Sequence, residues 1–445
     1  MVVAKELAEF ICKNKYSDFD SAVVKHTKNL ILSGIGMTLA GSKMRAGQAM
    51  IDYVRECGAP PETGVMGAGF RTSAEYAALA NGSTSHATEY EDVGFPEVIY
   101  TCAIFPVALA LGEKLGLAGK EIIQLNIMGY EVQSSLSLTC LAASKRGFQI
   151  ASIFGCIGAA AMTAKALGLG VYETTMALSL AASQACGLQQ QTGTGGHVYE
   201  SGLCGRNGIS AAMLAKHGLT GRPDIFEIPG GFCDAVAGTT EPKITLGEYR
   251  IRNCGYKNYP CCFLQQNAIN GVLELIAEHN ISADSVDSIR ADISPALARA
   301  VRYQHPADDE QARFSLPHSI AACFLDKEIS LDCYTEEKAR DKRYHEFREK
   351  VTLVVHPEWE RPGLSGADVP IAIRLKNGKE YKKICPSTDA ALFLSDKEIM
   401  DNYMERACRV LSRRQAEKAA RIVMALEEAK DISGLMGILT FPKKQ

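Results

Sequence analysis

A mainly α-helical protein carrying a smaller inserted α+β domain is what this 445-residue chain predicts. Three observations lead there. Apolar residues recur at three- and four-residue intervals through most of the first 255 residues, the mark of helices with one buried face. Past that point the pattern changes to alternation, as in VDSIRADI at Val286–Ile293, which reads as a half-buried strand. The helical spacing returns after residue 395. The economical layout is a large helical domain, residues 1–255, completed by residues 395–445, with residues 256–394 inserted as an α+β lid. A cleft between two such domains is the natural place for a small molecule.

The elements follow in order. Residues 4–13, 22–39 and 46–57 predict three helices, the last broken by Gly58-Ala-Pro-Pro61. Residues 62–70 form a glycine-rich connection, and residues 73–81 a helix ended by Asn81-Gly82. A polar stretch, residues 86–98, precedes a long apolar helix over 103–115; residues 121–144 are largely helical. The Gly/Ala-rich 155–167 suits close packing of helix backbones. Residues 173–188 and 209–217 complete the helical half. Next come strands at 286–293, 350–356, 369–375 and 379–384, the last two flanking the hairpin signal Asn377-Gly378. A helix over 315–325 lies among them. Ser395 and Glu398 have capping-box spacing and open helices over 397–411 and 414–430.

Composition excludes several classes of function. A net charge of −3 and no Lys/Arg block argue against nucleic acid as a partner. The start, MVVAKELAEFICKNK, lacks the pattern of a signal peptide, and no apolar run suits a spanning helix, so no membrane role and a cytoplasmic location are expected. The fifteen cysteines are scattered without a C-x-x-C pair, and the nine histidines show no short-range pairing with them. Reduced core thiols and no metal are the expectation. Neither G-x-G-x-x-G between strand and helix nor a P-loop occurs, so no nucleotide cofactor is expected.

One stretch changes character abruptly. Leu180–Gly208 passes from an apolar helix end through Gln189–Gln191 into Gly193-Thr194-Gly195-Gly196, then His197, Tyr199 and Glu200, and a second glycine-bearing turn at 202–208. Such a glycine run reads as a loop whose backbone N–H groups converge on an anion. It presents His197, the side chain most readily tuned for proton transfer near neutral pH.

An ordered series of motifs spans most of the chain. It includes Asn81-Gly82, His86-Ala-Thr-Glu-Tyr-Glu-Asp92, Phe105–Leu111, Gly129–Val132, Gly147-Phe148, Ala181–Gly187, Gly193-Thr194, Gly205–Gly208, Lys257–Cys261 and Phe314-Ser315. The series resembles the MmgE/PrpD family, which includes 2-methylcitrate dehydratase, cis-aconitate decarboxylase and iminodisuccinate epimerase. The resemblance implies a helical domain with an inserted lid, a homodimer, no cofactor, and lyase or isomerase chemistry next to a carboxylate of a small metabolite. Several positions depart from the family pattern. Glu89 stands for an aspartate, Ile99 for a histidine, Gln149 and Gln266 for histidines, His197 for a lysine, Glu200 for a histidine and His318 for a lid-helix tyrosine.

The expected catalytic residues are therefore His197 as acid/base, His318 as a second acid/base or carboxylate donor, and Glu89 as base or orienting group. Gln149 and Gln266 are expected to donate to substrate oxygens, with Arg146, Lys257 and Arg206 available for carboxylates and Tyr199 at the entrance. Plain alternatives stand beside these roles: a hydrogen-bonding His197, a packing His318, a solvated Glu89 and an Arg206 that caps a turn. A catalytically inactive binding or regulatory paralogue of the same fold is the alternative function.

Overall fold

The computed structural model describes residues 2–96, 98–360, 367–387 and 394–442; Glu97, within the expected polar stretch, lies outside them. The fold is mainly α with a small α+β region. Two compact units divide the chain. The first takes Met1–Gln190, Gly196–Tyr256 and Phe393–Gln445; the second takes Gln191–Gly195 and Lys257–Leu392.

The first unit is built on α1 (Val3–Lys13), α2 (Ser21–Gly41), α3 (Arg45–Glu56), a two-stranded ribbon of β1 (Thr63–Val65) and β2 (Phe70–Thr72), and α4 (Ala74–His86). It continues through α5 (Phe105–Leu115), α6 (Gly119–Thr139), α7 (Ile150–Ala166), α8 (Val171–Gln184), α9 (Gly195–Lys216) and α10 (Phe232–Ala237). Asp20 opens α2 by accepting the Val23 N–H at 2.9 Å, one of the orphan donors of a helix start. From Val23 onward most of α2 is buried, and α7 is buried from Ile150 to Ala164. Helices apolar all round belong at the centre of a bundle, and these two pack within one continuous core.

Two expectations are corrected here. Asn81-Gly82 does not end α4, which runs on to His86. The Asn81 side chain accepts the Met66 N–H at 2.9 Å and donates to the Gly64 carbonyl at 3.1 Å, so it ties the helix to the ribbon rather than turning the chain. The second glycine turn at 202–208 does not exist either. Gly193 is left-handed at φ +83°, but from Gly195 the chain is one 22-residue helix. Gly202, Gly205 and Gly208 fall three apart on one side of it, against Leu79 and Ser83, Val107, and Ala159 respectively. Their missing side chains let neighbouring helices approach.

In the second unit α11 (Gln266–His279) precedes β3 (Val286–Ile293), followed by α12 (Pro295–Ala300), α13 (Asp309–Ala312), α14 (Leu316–Leu325), α15 (Glu336–Arg340) and α16 (Lys342–Arg348). Then come β4 (Val351–Val355), β5 (Val369–Leu375) and β6 (Glu380–Cys385). The sheet order is β4-β3-β5-β6, with β3 and β4 parallel and the other pairs antiparallel. Gly378 at φ +85° makes the β5–β6 turn that Asn377-Gly378 signalled. This unit has its own apolar core of α11, α14, α16 and the sheet.

The chain returns to the first unit with α17 (Asp396–Ala407), α18 (Arg413–Met424) and α19 (Ser433–Thr440). Ser395 and Glu398 close the capping box reciprocally. Tyr403 of α17 packs close to Gly36 of α2, completing the helical core. All fifteen cysteines are free thiols, most of them buried. Among the described residues no helix is long and apolar enough to cross a membrane.

Candidate active site in the helical unit

The site grows out of a helix crossing. Gly82 of α4 meets Gly202 of α9, and an added Cβ on Gly82 would sit 2.8 Å from the Gly202 Cα. No residue but glycine allows that approach. One turn beyond Gly82, α4 ends on His86; His197 lies in the first turn of α9. The crossing therefore brings together two imidazoles 111 residues apart in sequence. Their Nε2 atoms are 2.9 Å apart, with the rings inclined at 68°. Both rings are buried, His86 at 0% and His197 at 6% exposure.

Glu89 completes the cluster. Its Oε1 lies 3.4 Å from each Nε2. The backbone at Glu89 is left-handed, φ +54°, a conformation costing a non-glycine residue roughly 1–2 kcal/mol. The loop holding it is pinned on both sides. Tyr90 lies under the Arg406 guanidinium of α17 at 3.7 Å from the ring centre. Asp92 accepts the N–H and hydroxyl of Thr101, and Cys254 donates to it at 2.9 Å. Burial raises the Asp92 carboxyl above its ordinary range, with those hydrogen bonds working the other way.

Each imidazole also has a partner on its far side. The His86 Nδ1 faces Cys102 Sγ at 3.6 Å and the Glu91 carboxylate at 3.7 Å, while its ring stacks on Tyr100. The His197 Nδ1 faces the Gln149 amide at 3.2 Å, at the start of α7. Burial works to lower the His197 pKa, but the carboxylates of Glu89, Glu200 and Glu91 outweigh it, and the net shift is upward. His197 is thus held towards the cationic form in the position where the family pattern has a lysine. Glu200, one turn on, accepts the Leu188 N–H at 2.7 Å and is itself raised by burial.

Of the residues singled out from sequence, the structure gathers His197, Glu89 and Gln149. His318 is different. It sits in the second unit with 0% exposure, its Nε2–H donating to the Cys333 carbonyl at 2.9 Å and its Nδ1 accepting from Arg348 at 3.1 Å. Tyr344 stacks on the ring. Burial and then Arg348 lower its pKa to about 4, the Cys333 carbonyl opposing them, so it is a neutral packing residue with both nitrogens spent. Gln266 is likewise structural: its Oε1 accepts the N–H groups of Asn258 and Tyr259, and its amide donates to the carbonyls of Tyr259 and Cys261. It holds the turn that carries Lys257, which is buried in the second unit.

Tyr199 packs with Ile51, Val54 and Leu79 rather than beside His197. The Arg206 guanidinium lies over the Tyr76 ring, and Arg146 is exposed at the end of a 3₁₀ turn. The reading from sequence missed His86, Glu91, Tyr100 and Cys102. His86 was visible within its motif, three residues before Glu89, but its partner lies on another helix. The zinc rule of short spacing fails for the same reason: His86, Glu89 and His197 place three possible ligand atoms within 4.8 Å of one another.

Comparison with known proteins agrees with this architecture. The profile of the MmgE/PrpD N-terminal domain matches residues 5–245, and that of the MmgE/PrpD C-terminal domain residues 259–428. Cis-aconitate decarboxylase of Mus musculus is 24% identical over 464 residues, covering 100% of this chain and 94% of its own. The cis-aconitate decarboxylase-like protein oryM of Aspergillus oryzae is 25% identical over 98% of this chain and 97% of its own. A mitochondrial 2-methylcitrate dehydratase of Yarrowia lipolytica is 24% identical over 61% of this chain and 56% of its own. Both domains of the family are matched across the chain, which therefore belongs to the MmgE/PrpD family.

Proposed function

We propose that the protein is a lyase or isomerase that moves a proton next to a carboxylate of a small metabolite, with His197 as the acid/base. The observation that carries this reading is the buried contact between the His86 and His197 Nε2 atoms beside Glu89. A 2.9 Å gap between two imidazole nitrogens requires one proton between them. The contact then holds one shared proton, and a single proton is what decarboxylation, dehydration and epimerisation each need to give or take. The relatives support the class, since they are named as a decarboxylase and a dehydratase.

Within that class the residues favour a modestly charged substrate. Glu89, Glu91 and Glu200 surround His197, while Gln149 and Ile99 stand where the family pattern carries histidines. A site so acidic repels a trianion more than a monocarboxylate or dicarboxylate. We further propose that the enzyme works as a homodimer in the cytoplasm.

The test is incubation in D₂O with monocarboxylates, dicarboxylates, citrate, 2-methylcitrate and cis-aconitate, following deuterium incorporation by NMR and CO₂ release. Incorporation or turnover with at least one of them is expected, lowered about 10²–10⁴-fold in His197→Ala. Ligand-induced thermal stabilisation with no exchange and no turnover across the panel would identify a binding paralogue instead.

A further inference from the structure

The same three atoms have a second use. Their triangle has edges of 2.9, 3.4 and 3.4 Å. Zinc bonds imidazole nitrogen and carboxylate oxygen at about 2.0–2.2 Å, and tetrahedral angles then put neighbouring ligand atoms ~3.3 Å apart. A point ~2.05 Å from all three atoms lies ~0.8 Å off their plane, against ~0.7 Å in an ideal tetrahedron. Two nitrogens and one carboxylate oxygen suit a first-row divalent cation.

The surroundings match as well. A metal-bound histidine usually donates its other ring N–H to a carboxylate, a carbonyl oxygen or water, which fixes the tautomer and the ring plane. His86 turns Nδ1 towards the Glu91 carboxylate at 3.7 Å, and His197 turns Nδ1 towards the Gln149 side chain, whose amide nitrogen lies there at 3.2 Å and gives way to its carbonyl oxygen on a half-turn of the amide. All three ligands are at least nine-tenths buried, and the Glu89 backbone is held in a left-handed conformation that aims its carboxylate between the rings.

We propose that His86, Glu89 and His197 bind a divalent first-row metal ion, zinc foremost, in exchange for the proton that otherwise bridges the two imidazoles. The fourth vertex takes water or a carboxylate oxygen. A metal-loaded chain has no Nε2 lone pair left to move a proton, so zinc silences the acid/base site. That silencing rests on the function proposed above; the binding does not.

Chelator-treated full-length protein, titrated with Co²⁺ and then Zn²⁺, tests the binding without substrate. The expected result is the visible absorption of four-coordinate cobalt, saturating at one ion per chain and lost on adding zinc. Glu89→Gln and His197→Lys each weaken cobalt binding tenfold or more, with far-UV circular dichroism reporting their folding. The exposed trio His305, His345 and Glu349 supplies the control: His345→Ala leaves the titration unchanged. No four-coordinate signal in the folded wild type overturns the proposal. So does a signal that survives both ligand substitutions or disappears in His345→Ala. Proton exchange is measured separately with chelator present. Cobalt binding without exchange sinks the acid/base function and keeps the metal site, and exchange without cobalt binding does the reverse.

Discussion

A histidine's chemistry is set by what its two nitrogens face, and His197 and His318 are opposites. His197 faces a second imidazole at 2.9 Å and a carboxylate at 3.4 Å, contacts that do not fix which ring holds the proton between them. His318 has one nitrogen donating to a carbonyl and the other accepting from a guanidinium, which fixes it neutral. A measurable consequence follows for His318. Its folded pKa of about 4 lies below the ordinary 6.5 of an unfolded chain. The stability tied to its neutral form is complete above pH 6.5 and is lost as pH falls towards 4, a change of about 3 kcal/mol. Urea midpoints at pH 7 and pH 4.5 should therefore differ more in the wild type than in His318→Gln. An equal pH dependence in the two proteins counts against this account of the ring. From sequence the two histidines looked alike, because each replaced a titratable family residue and neither set of partners is near in the chain. Arg348 is 30 residues from His318, and His86 is 111 from His197.

Helices α4 and α9 show what periodicity can and cannot reveal at the level of elements. Apolar spacing gave most helices of the first half, Asn377-Gly378 the β5–β6 hairpin, and the Ser395–Glu398 spacing the capping box, since each depends on residues close in sequence. Glycine was read correctly in the Gly/Ala-rich 155–167, where small residues recur, and misread at two places where the cause was a neighbouring helix and the residues around it were polar. Asn81-Gly82 and Gly202–Gly208 carry turn chemistry, yet in the fold they serve a helix crossing. That crossing sets the distance between the imidazoles. Gly82→Ala or Gly202→Ala should lower stability by about 1–3 kcal/mol through overpacking. Each should also cut turnover by more than the loss of folded protein explains. Gly434 of α19, with open space at its Cβ position, is the control, and Gly434→Ala should change neither. Thermal unfolding and kcat on the same samples separate the two effects; full kcat in folded Gly82→Ala would break the link between crossing and catalysis.

Over the whole molecule, the change from helical to alternating periodicity near residue 255 marks a physical unit with its own sheet and apolar core. Residues 257–387 expressed alone are expected to unfold cooperatively on heating, with near-UV circular dichroism from Tyr334 and Tyr344 reporting a packed interior. A broad, non-cooperative melt would show that this core needs the rest of the chain. The last helices belong to the first unit, where Arg406 of α17 anchors Tyr90 beside Glu89. Arg406→Ala is expected to lower kcat in a protein that remains folded, because it loosens the loop that aims the carboxylate. The return of the last helices to the helical domain was legible beforehand, but the Arg406–Tyr90 contact was not, since α17 lies more than three hundred residues from the loop it supports.

The central claim is that His86 and His197 act as one unit, and ¹⁵N spectra of histidine-labelled protein test it most directly. With chelator present, replacing His86 by glutamine should move both ring-nitrogen signals of His197, and replacing Glu89 by glutamine should move those of both imidazoles. His197 signals that stay in place in His86→Gln, with the fold intact, would contradict it.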